Sequence, residues 1–361
     1  MSIRTIVGLA VVLGFRLVAG PLEEWSKMKP MVPRGYLCVR TTNAPNIDGQ
    51  LDEAAWQRAP WTEEFVDIRG PSQPKPWFPT RAKMLWDDQY FYIAAQLTEP
   101  HVWATITQRD AVIFQDNDFE VFIDPDGDAH QYYEFEMNAL NTVWDLRLVK
   151  PYKDGGPALN EWDIAGLKTA VHIEGTLNDS RDLDRHWTVE IALPWKALGE
   201  YSKVAAPPQD GDRWRVDFSR VEWKTEIVNG RYQKVPQRPE ENWVWSPTGI
   251  VDMHRPEKWG LVEFSTSTQG GRSIKPGPTE VARDQLQEIY YRQRGFRESQ
   301  HRYAKDRKEL ALEEVSFEGC SIQKTPEGYE ATVPIRRSEI GSTRTGAIAH
   351  IREDARFWIT P

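Results

Sequence analysis

From about residue 40 to residue 265, apolar and polar residues alternate in short runs broken by Asp, Gly and Pro. Few folds satisfy that pattern, because successive side chains of a strand point to opposite faces and alternation marks a strand with one buried face. Met84 and Trp86 precede Asp87-Asp88-Gln89, and Tyr90 and Tyr92 follow it, which predicts a hairpin. Runs 119–124 and 132–138 flank the turn-rich Asp124-Pro125-Asp126-Gly127-Asp128 and predict another. In its second strand Tyr133, Phe135 and Met137 share one face, while Glu134, Glu136 and Asn138 share the other. Val189, Ile191 and Leu193 repeat the inward phase, as do Trp214, Val216 and Phe218. Many short strands with little helical period predict a mainly β fold, an antiparallel β-sandwich. The chain also holds 16 Trp and 12 Tyr. Rings that large fill a β core or form stacking platforms, and the excess points to both.

One strand breaks its own pattern. Carrying the inward phase past Phe218 places Arg220 and Glu222 at core positions. A bulge that resets the register, or an ion pair lining a mouth at the sheet end, is expected there in preference to an ordinary buried salt bridge.

Outside the alternating region the pattern changes twice. Residues 1–20 have the layout of a secretory signal: a cation at Arg4, an apolar run from Ile6 to Phe15, and a small-residue end. That run is too short to span a bilayer, and a secreted or periplasmic protein is expected. Residues 21–40 read as a lead-in and 266–279, rich in Ser, Thr, Gly and Pro, as a linker. Beyond it Leu286, Ile289, Tyr290, Gln293 and Phe296 follow helical spacing from a Thr279 N-cap with Glu280 in the first turn. A short helix over 306–314 and strands within 315–322, 329–335 and 347–359 complete a small α+β appendage over 280–361.

The net charge of −9, with no Lys/Arg cluster, argues against nucleic acid or an anionic membrane as the main partner. Two cysteines make no disulfide scaffold, although Cys38 and Cys320 could pair in an exported protein. There is no Gly-rich phosphate loop, no Gly-x-Ser-x-Gly, no His-Glu-x-x-His and no Cys-x-x-Cys, and the seven His are scattered.

Carboxylates are the remaining chemistry. Glu134 and Glu136 share a strand face with Asp116, Asp118 and Glu120 on the neighbouring strand. Paired carboxyls are what glycoside hydrolysis requires, so a glycoside hydrolase or accessory enzyme is one reading. A solvated face or an ion site is the expected alternative, because a shallow sheet face rarely excludes the water that a raised-pKa acid must avoid. Asp124, Asp126 and Asp128 place three carboxylates in one tight turn, which suits calcium or, equally, plain turn chemistry.

Several motifs occur in order: 47–56 (Ile-Asp-Gly-Gln-Leu-Asp-Glu-Ala-Ala-Trp), with a turn at Asp48-Gly49, an Asp52 N-cap and a buried Trp56; 85–92 (Leu-Trp-Asp-Asp-Gln-Tyr-Phe-Tyr); 116–124 (Asp-Asn-Asp-Phe-Glu-Val-Phe-Ile-Asp); 243–247 (Trp-Val-Trp-Ser-Pro); and 256–260 (Pro-Glu-Lys-Trp-Gly). Together they resemble the family 9 carbohydrate-binding modules over roughly residues 36–265. The resemblance implies an immunoglobulin-like β-sandwich, bound calcium, and a non-catalytic role in holding the ends of plant polysaccharide chains between two tryptophans. It puts Phe114 and Met253 at the two clamp positions, Glu120 at a polar contact, and Glu136 where the family has an arginine. Phe can stack on a sugar, whereas Met makes a poorer platform and a glutamate removes a donor fork. The ligand face implied is Phe114, Glu120, Glu136, Asn138, Trp144, Arg220 and Met253, with an oligosaccharide as partner. Related sandwiches that hold haem b suggest another reading, with Met253 or His254 as an axial ligand.

Overall fold

The computed structural model describes residues 20–268, 274–312, 317–335 and 346–361. The signal-like segment and residues 269–273 of the expected linker lie outside them. The first strands are β1 (Gly35–Arg40), β2 (Val66–Asp67), β3 (Thr80–Trp86), β4 (Tyr90–Thr98), β5 (Asp118–Asp124) and β6 (Tyr132–Asn138). They are followed by β7 (Val143–Leu148), β8 (Ala158–Leu159), β9 (Lys168–Glu174), β10 (His186–Pro194) and β11 (Arg213–Glu222). A hairpin of β12 (Thr225–Val228) and β13 (Arg231–Lys234) precedes β14 (Glu241–Val244) and β15 (Gly260–Ser265). All but that hairpin join one continuous sheet in the order β8-β7-β6-β5-β11-β15-β1-β3-β4-β10-β9, with β14 and β2 branching from β11.

The sheet folds over itself. Phe119, Val121 and Ile123 of β5, Tyr133, Phe135 and Met137 of β6, and Trp214, Val216 and Phe218 of β11 share a core with inward residues of β3, β4 and β10. The sandwich is antiparallel as expected except at β1, which runs parallel to both β15 and β3. Outside it, α2 (Ala54–Arg58) buries Trp56 against Leu85, Tyr92 and Ala94. The helix caps at Glu53 rather than Asp52. The Asp48-Gly49 turn is held by the buried Glu190, whose carboxylate accepts from the N–H groups of Asp48 (2.9 Å) and Gly49 (2.7 Å) and from Trp56 Nε1 (2.6 Å). Gly49 has φ 88°, and a Cβ there would lie 2.6 Å from the His172 nitrogen, so this turn requires glycine.

A separate core forms at the C-terminus. It packs α1 (Pro21–Met28) and α4 (Pro278–Gln300) with β16 (Ser321–Lys324), β17 (Tyr329–Pro334), β18 (Ile348–Arg352) and β19 (Phe357–Thr360). The lead-in is thus partly helical, and Trp25 stacks on Tyr291 with ring centroids 5.3 Å apart. Pro21 in the first turn, Glu23 and Glu24 behind it and Lys27 in the last turn are ordinary helix signals. α4 caps at Gly277 with Pro278 at its first position, so Thr279 lies inside the helix instead of capping it. Turns occupy residues 307–311 where a second helix was expected; residues 313–316 lie outside the described set. Cys38 and Cys320, which could have paired, are free thiols buried in different cores.

Among the described residues β11 carries no bulge against β5. The register runs evenly from Arg215 opposite Asp124 to Val221 opposite Asp118. Arg220 and Glu222 therefore keep the inward phase and form a buried ion cluster. Arg220 donates to Glu99 at 2.7 Å, to Glu222 at 2.8 Å and to the Thr98 carbonyl at 2.9 Å. Its guanidinium also lies 5.2 Å from the Trp243 ring centroid. With Glu99 and Glu222 both engaged and a ring beneath it, the arginine is satisfied in place, and the strand has no need to slip.

Candidate functional site

The outer face of β5, β6 and β7 carries the candidate site. Glu120 lies opposite Glu136, Phe122 opposite Glu134, and Glu136 opposite Trp144. These side chains all point away from the aromatic core. The expected solvated face is buried: Asp118, Glu120, Glu134, Glu136 and Asn138 are all covered. The cover comes from the chain after β14. Trp259 packs on Phe122 and Tyr132, and its Nε1 donates to the Met253 carbonyl at 2.7 Å, pinning the 251–254 loop over the sheet. Gly260 makes room for this arrangement, since a Cβ there would lie 2.3 Å from the Trp245 ring.

A pocket of about 400 Å³ remains between loop and sheet. Phe114, Glu120, Glu136, Trp144 and Met253, five of the seven expected ligand residues, line it together with Glu134, Tyr152 and His254. Phe114 is fixed from two sides: its N–H donates to Glu136 Oε2 at 3.0 Å and its carbonyl accepts from Trp223 Nε1 at 2.8 Å. An aromatic side chain on a backbone held this way is pre-organised for stacking. His254 meets Tyr152 edge-on at 4.5 Å and hydrogen-bonds the Tyr132 hydroxyl through Nδ1 at 2.9 Å.

Two expected residues lie elsewhere. Arg220 is on the inner face, separated from the pocket by the sheet itself. Asn138 is on the correct face but spent on structure: its amide donates to Ile106 O (2.9 Å) and Asp116 (3.0 Å), and its carbonyl accepts from the N–H groups of Leu140 and Thr142. Tyr152, Asp252 and Glu240 also line the pocket and were not expected there. Tyr152 begins a single 3₁₀ turn and Glu240 and Asp252 sit on loops, where no periodicity assigns a direction; Glu134, two residues before Glu136, was readable from strand phase.

The pocket is acidic and uncompensated. Five carboxylates line it, and among the described residues no Lys or Arg does. Asp252 has Arg255 at 3.2 Å. Burial pushes Glu120 up to about 7, with the charge of Glu240 adding to the rise. Burial, and then the charge of Glu120, push Glu134 and Glu136 well above the ordinary range. Burial lowers His254 to about 4, so it stays neutral. Its Nε2 is 4.0 Å from Glu134 Oε2, too far for a hydrogen bond. A haem does not fit this donor set: Met253 and His254 are adjacent, but the surface facing them is carboxylate where a macrocycle needs an apolar slot.

The acidic turn at the other end of the hairpin differs. Asp124, Asp126 and Asp128 bring carboxylate oxygens within 4.8 Å of one another, a donor set of the right kind for calcium. Each oxygen already accepts a hydrogen bond, however. Asp124 takes the N–H groups of Gly127 and Ala129, and Asp126 those of Asp128 and Lys203. Asp128 takes the His130 N–H, Lys203 Nζ at 2.5 Å and Arg356 Nε at 3.2 Å. Two cations thus share one oxygen of Asp128, while Asp124 and Asp126 are held by backbone N–H groups.

Residues 47–222 match the family model described as carbohydrate family 9 binding domain-like. Among curated proteins, the chain is 23% identical over 154 residues to Exoglucanase XynX of Acetivibrio thermocellus, covering 43% of this chain and 12% of that protein. It is 29% identical over 90 residues to Endo-1,4-beta-xylanase C of Paenibacillus barcinonensis, covering 25% and 8%. The matched stretches therefore span about a tenth of the length of these relatives. Among solved structures, a proposed carbohydrate-binding protein of Bacteroides uniformis matches at 14% identity and TM-score 0.49, over 64% of this chain and 100% of that one. A family 9 carbohydrate-binding module of Caldicellulosiruptor kristjanssonii in complex with cellotriose matches at 16% identity and TM-score 0.41, over 68% and 99%.

Proposed function

We propose that this chain, which carries a domain of the carbohydrate family 9 binding type over residues 47–222, is a non-catalytic carbohydrate-binding protein that holds a sugar in the pocket between β5–β7 and the 251–254 loop. The observation that carries the reading is convergence: residues far apart in sequence bring Phe114, Trp144 and Tyr152 rings and a set of hydrogen-bonding carboxyls to one cavity of sugar-ring size. A sugar presents apolar C–H faces and a hydroxyl rim, and such a cavity offers surfaces for both. The similar segments of the curated relatives belong to proteins named as an exoglucanase and an endo-1,4-beta-xylanase, which supports a role in polysaccharide use. The signal-like residues 1–20 support action outside the cytoplasm.

Hydrolysis fits the geometry less well. Glu120 and Glu136 are cross-strand neighbours on one floor, whereas a hydrolase must flank the scissile bond from two sides. For calcium we propose competition at the acidic turn: Lys203 and Arg356 hold Asp128, so calcium binds there only weakly.

The test is a panel of oligosaccharides titrated calorimetrically against the full chain and against Phe114→Ala. Binding to at least one oligosaccharide is expected, weakened about tenfold or more without the ring, by analogy with base stacking on aromatic side chains. No change in the variant would place the ligand elsewhere, and release of new reducing ends would favour the hydrolase reading.

A further inference from the structure

The sugar pocket has the wrong charge for a neutral ligand alone. Glu120, Glu134 and Glu136 face it from two adjacent strands, and no lysine or arginine among the described residues lines it. Glu134 is 6% exposed and its Oε2 has no hydrogen-bond partner. A buried carboxylate oxygen without a partner costs free energy, and it is stabilised when a cationic donor arrives. Beside it Glu136 accepts from the Phe114 N–H through one oxygen, and a carboxylate can accept more bonds than that, so the pair has acceptor capacity to spare. Glu99 and Glu222 of the same fold instead share Arg220, and Glu190 accepts three N–H donors; Asp118 Oδ2 and Asp217 Oδ2 also lack a partner, but neither residue lines the pocket.

Resting on the carbohydrate-binding reading, we propose that the pocket selects sugars bearing a free protonated amine, such as unacetylated glucosamine units, over neutral sugars. The ring stacks on Phe114, and the ammonium group meets the Glu120–Glu134–Glu136 carboxylates. An ammonium provides three donors and a full charge, whereas a hydroxyl at the same position provides one donor and no charge. Acetylation removes that charge and adds bulk. A uronic acid would bring a further negative charge to the same surface and is rejected. The raised affinity of these carboxyls for protons has the same cause as their preference for a cationic ligand: buried negative charge without a counter-ion.

The experiment compares a glucosamine trimer, its fully N-acetylated form, cellotriose and spermidine by calorimetry with the full chain at and just above neutral pH, where Glu120 gives up its proton, with and without chelator. The glucosamine trimer is expected to bind about tenfold or more tightly than cellotriose and the acetylated trimer, and added salt is expected to shrink that ratio. Glu134→Gln and Glu120→Gln are each expected to bring the ratio towards one. The salt series on the unaltered protein gives the same answer if a variant fails to fold. Equal affinities for all three sugars, lost together in Phe114→Ala, would overturn the amine preference and leave the carbohydrate reading standing. Spermidine binding as tight as the trimer and insensitive to Phe114→Ala would overturn it in favour of a general cation site. Loss of all binding with chelator would overturn it in favour of a metal-bridged ligand. Failure of every sugar to bind would overturn the function itself.

Discussion

One hairpin, β5–β6, carries an acidic cluster at each end, and the two are built in opposite ways. At the turn, every carboxylate oxygen of Asp124, Asp126 and Asp128 has a donor, and Lys203 and Arg356 supply positive charge. On the strands, Glu120, Glu134 and Glu136 lie in a cavity that, among the described residues, no lysine or arginine lines, and one oxygen of Glu134 has no partner among them. The number of acids is the same. What separates structural carboxylates from candidate binding ones is whether the protein itself has answered their charge.

The largest expected effect comes from making an answered cluster resemble the unanswered one. Arg220→Met leaves Glu99 and Glu222 buried together without their cation, and should cost about 3–5 kcal/mol in denaturant unfolding. A cost below about 1 kcal/mol would mean that water reaches those carboxylates.

The two ends of the hairpin should then respond differently to truncation. Asp124→Ala removes the acceptor for two buried N–H groups and should destabilise by about 2–4 kcal/mol. Glu134→Gln removes a charge that burial already opposes, and should leave stability unchanged or raise it by about 1 kcal/mol. Similar losses in both variants would break the distinction.

The pocket also predicts a sign for pH. Glu120, surrounded by Asp118, Glu134, Glu136 and Glu240, keeps its proton in the folded state up to about 7, whereas in the unfolded chain it ionises near its ordinary value of about 4.3. Between those values the folded state binds more protons, so stability falls as pH rises through that window and the loss is complete above it. Glu120→Gln should flatten this part of the stability–pH curve, measured by thermal melts across the window. Asp354 runs the other way: burial opposes its charge, but His130 and Arg352 hold its carboxyl below the usual range, so its contribution is lost in acid.

The smallest effect concerns calcium. Millimolar calcium should move the melting temperature of the unaltered protein very little, and Lys203→Met should enlarge the shift by freeing Asp128 from its competing ammonium. A large shift without the substitution would show that the cation displaces Lys203 readily.

The sandwich was legible because its strands obey strict alternation; the faces assigned to Tyr133, Phe135 and Met137 on one side and Glu134 and Glu136 on the other are those observed. Burial of the acidic face was not legible, because its cover is the loop pinned by Trp259, a contact between distant parts of the chain. Strand phase also gives the inward direction of Arg220, and a bulge is expected there only while the charge has no visible partner; that partner, Glu99, lies 121 residues away. The helix Pro21–Met28 was passed over because its apolar face, Trp25 and Met28, has meaning only against α4.

The proposed sugar site is the pocket between β5–β7 and the 251–254 loop. A crystal structure of the full chain with the tightest-binding oligosaccharide tests it most directly. A sugar ring stacked on Phe114, with polar groups within hydrogen-bonding distance of Glu120 and Glu136, is expected. A ligand bound with that pocket empty, for instance in the cavity between the acidic turn and the start of α4, would contradict it.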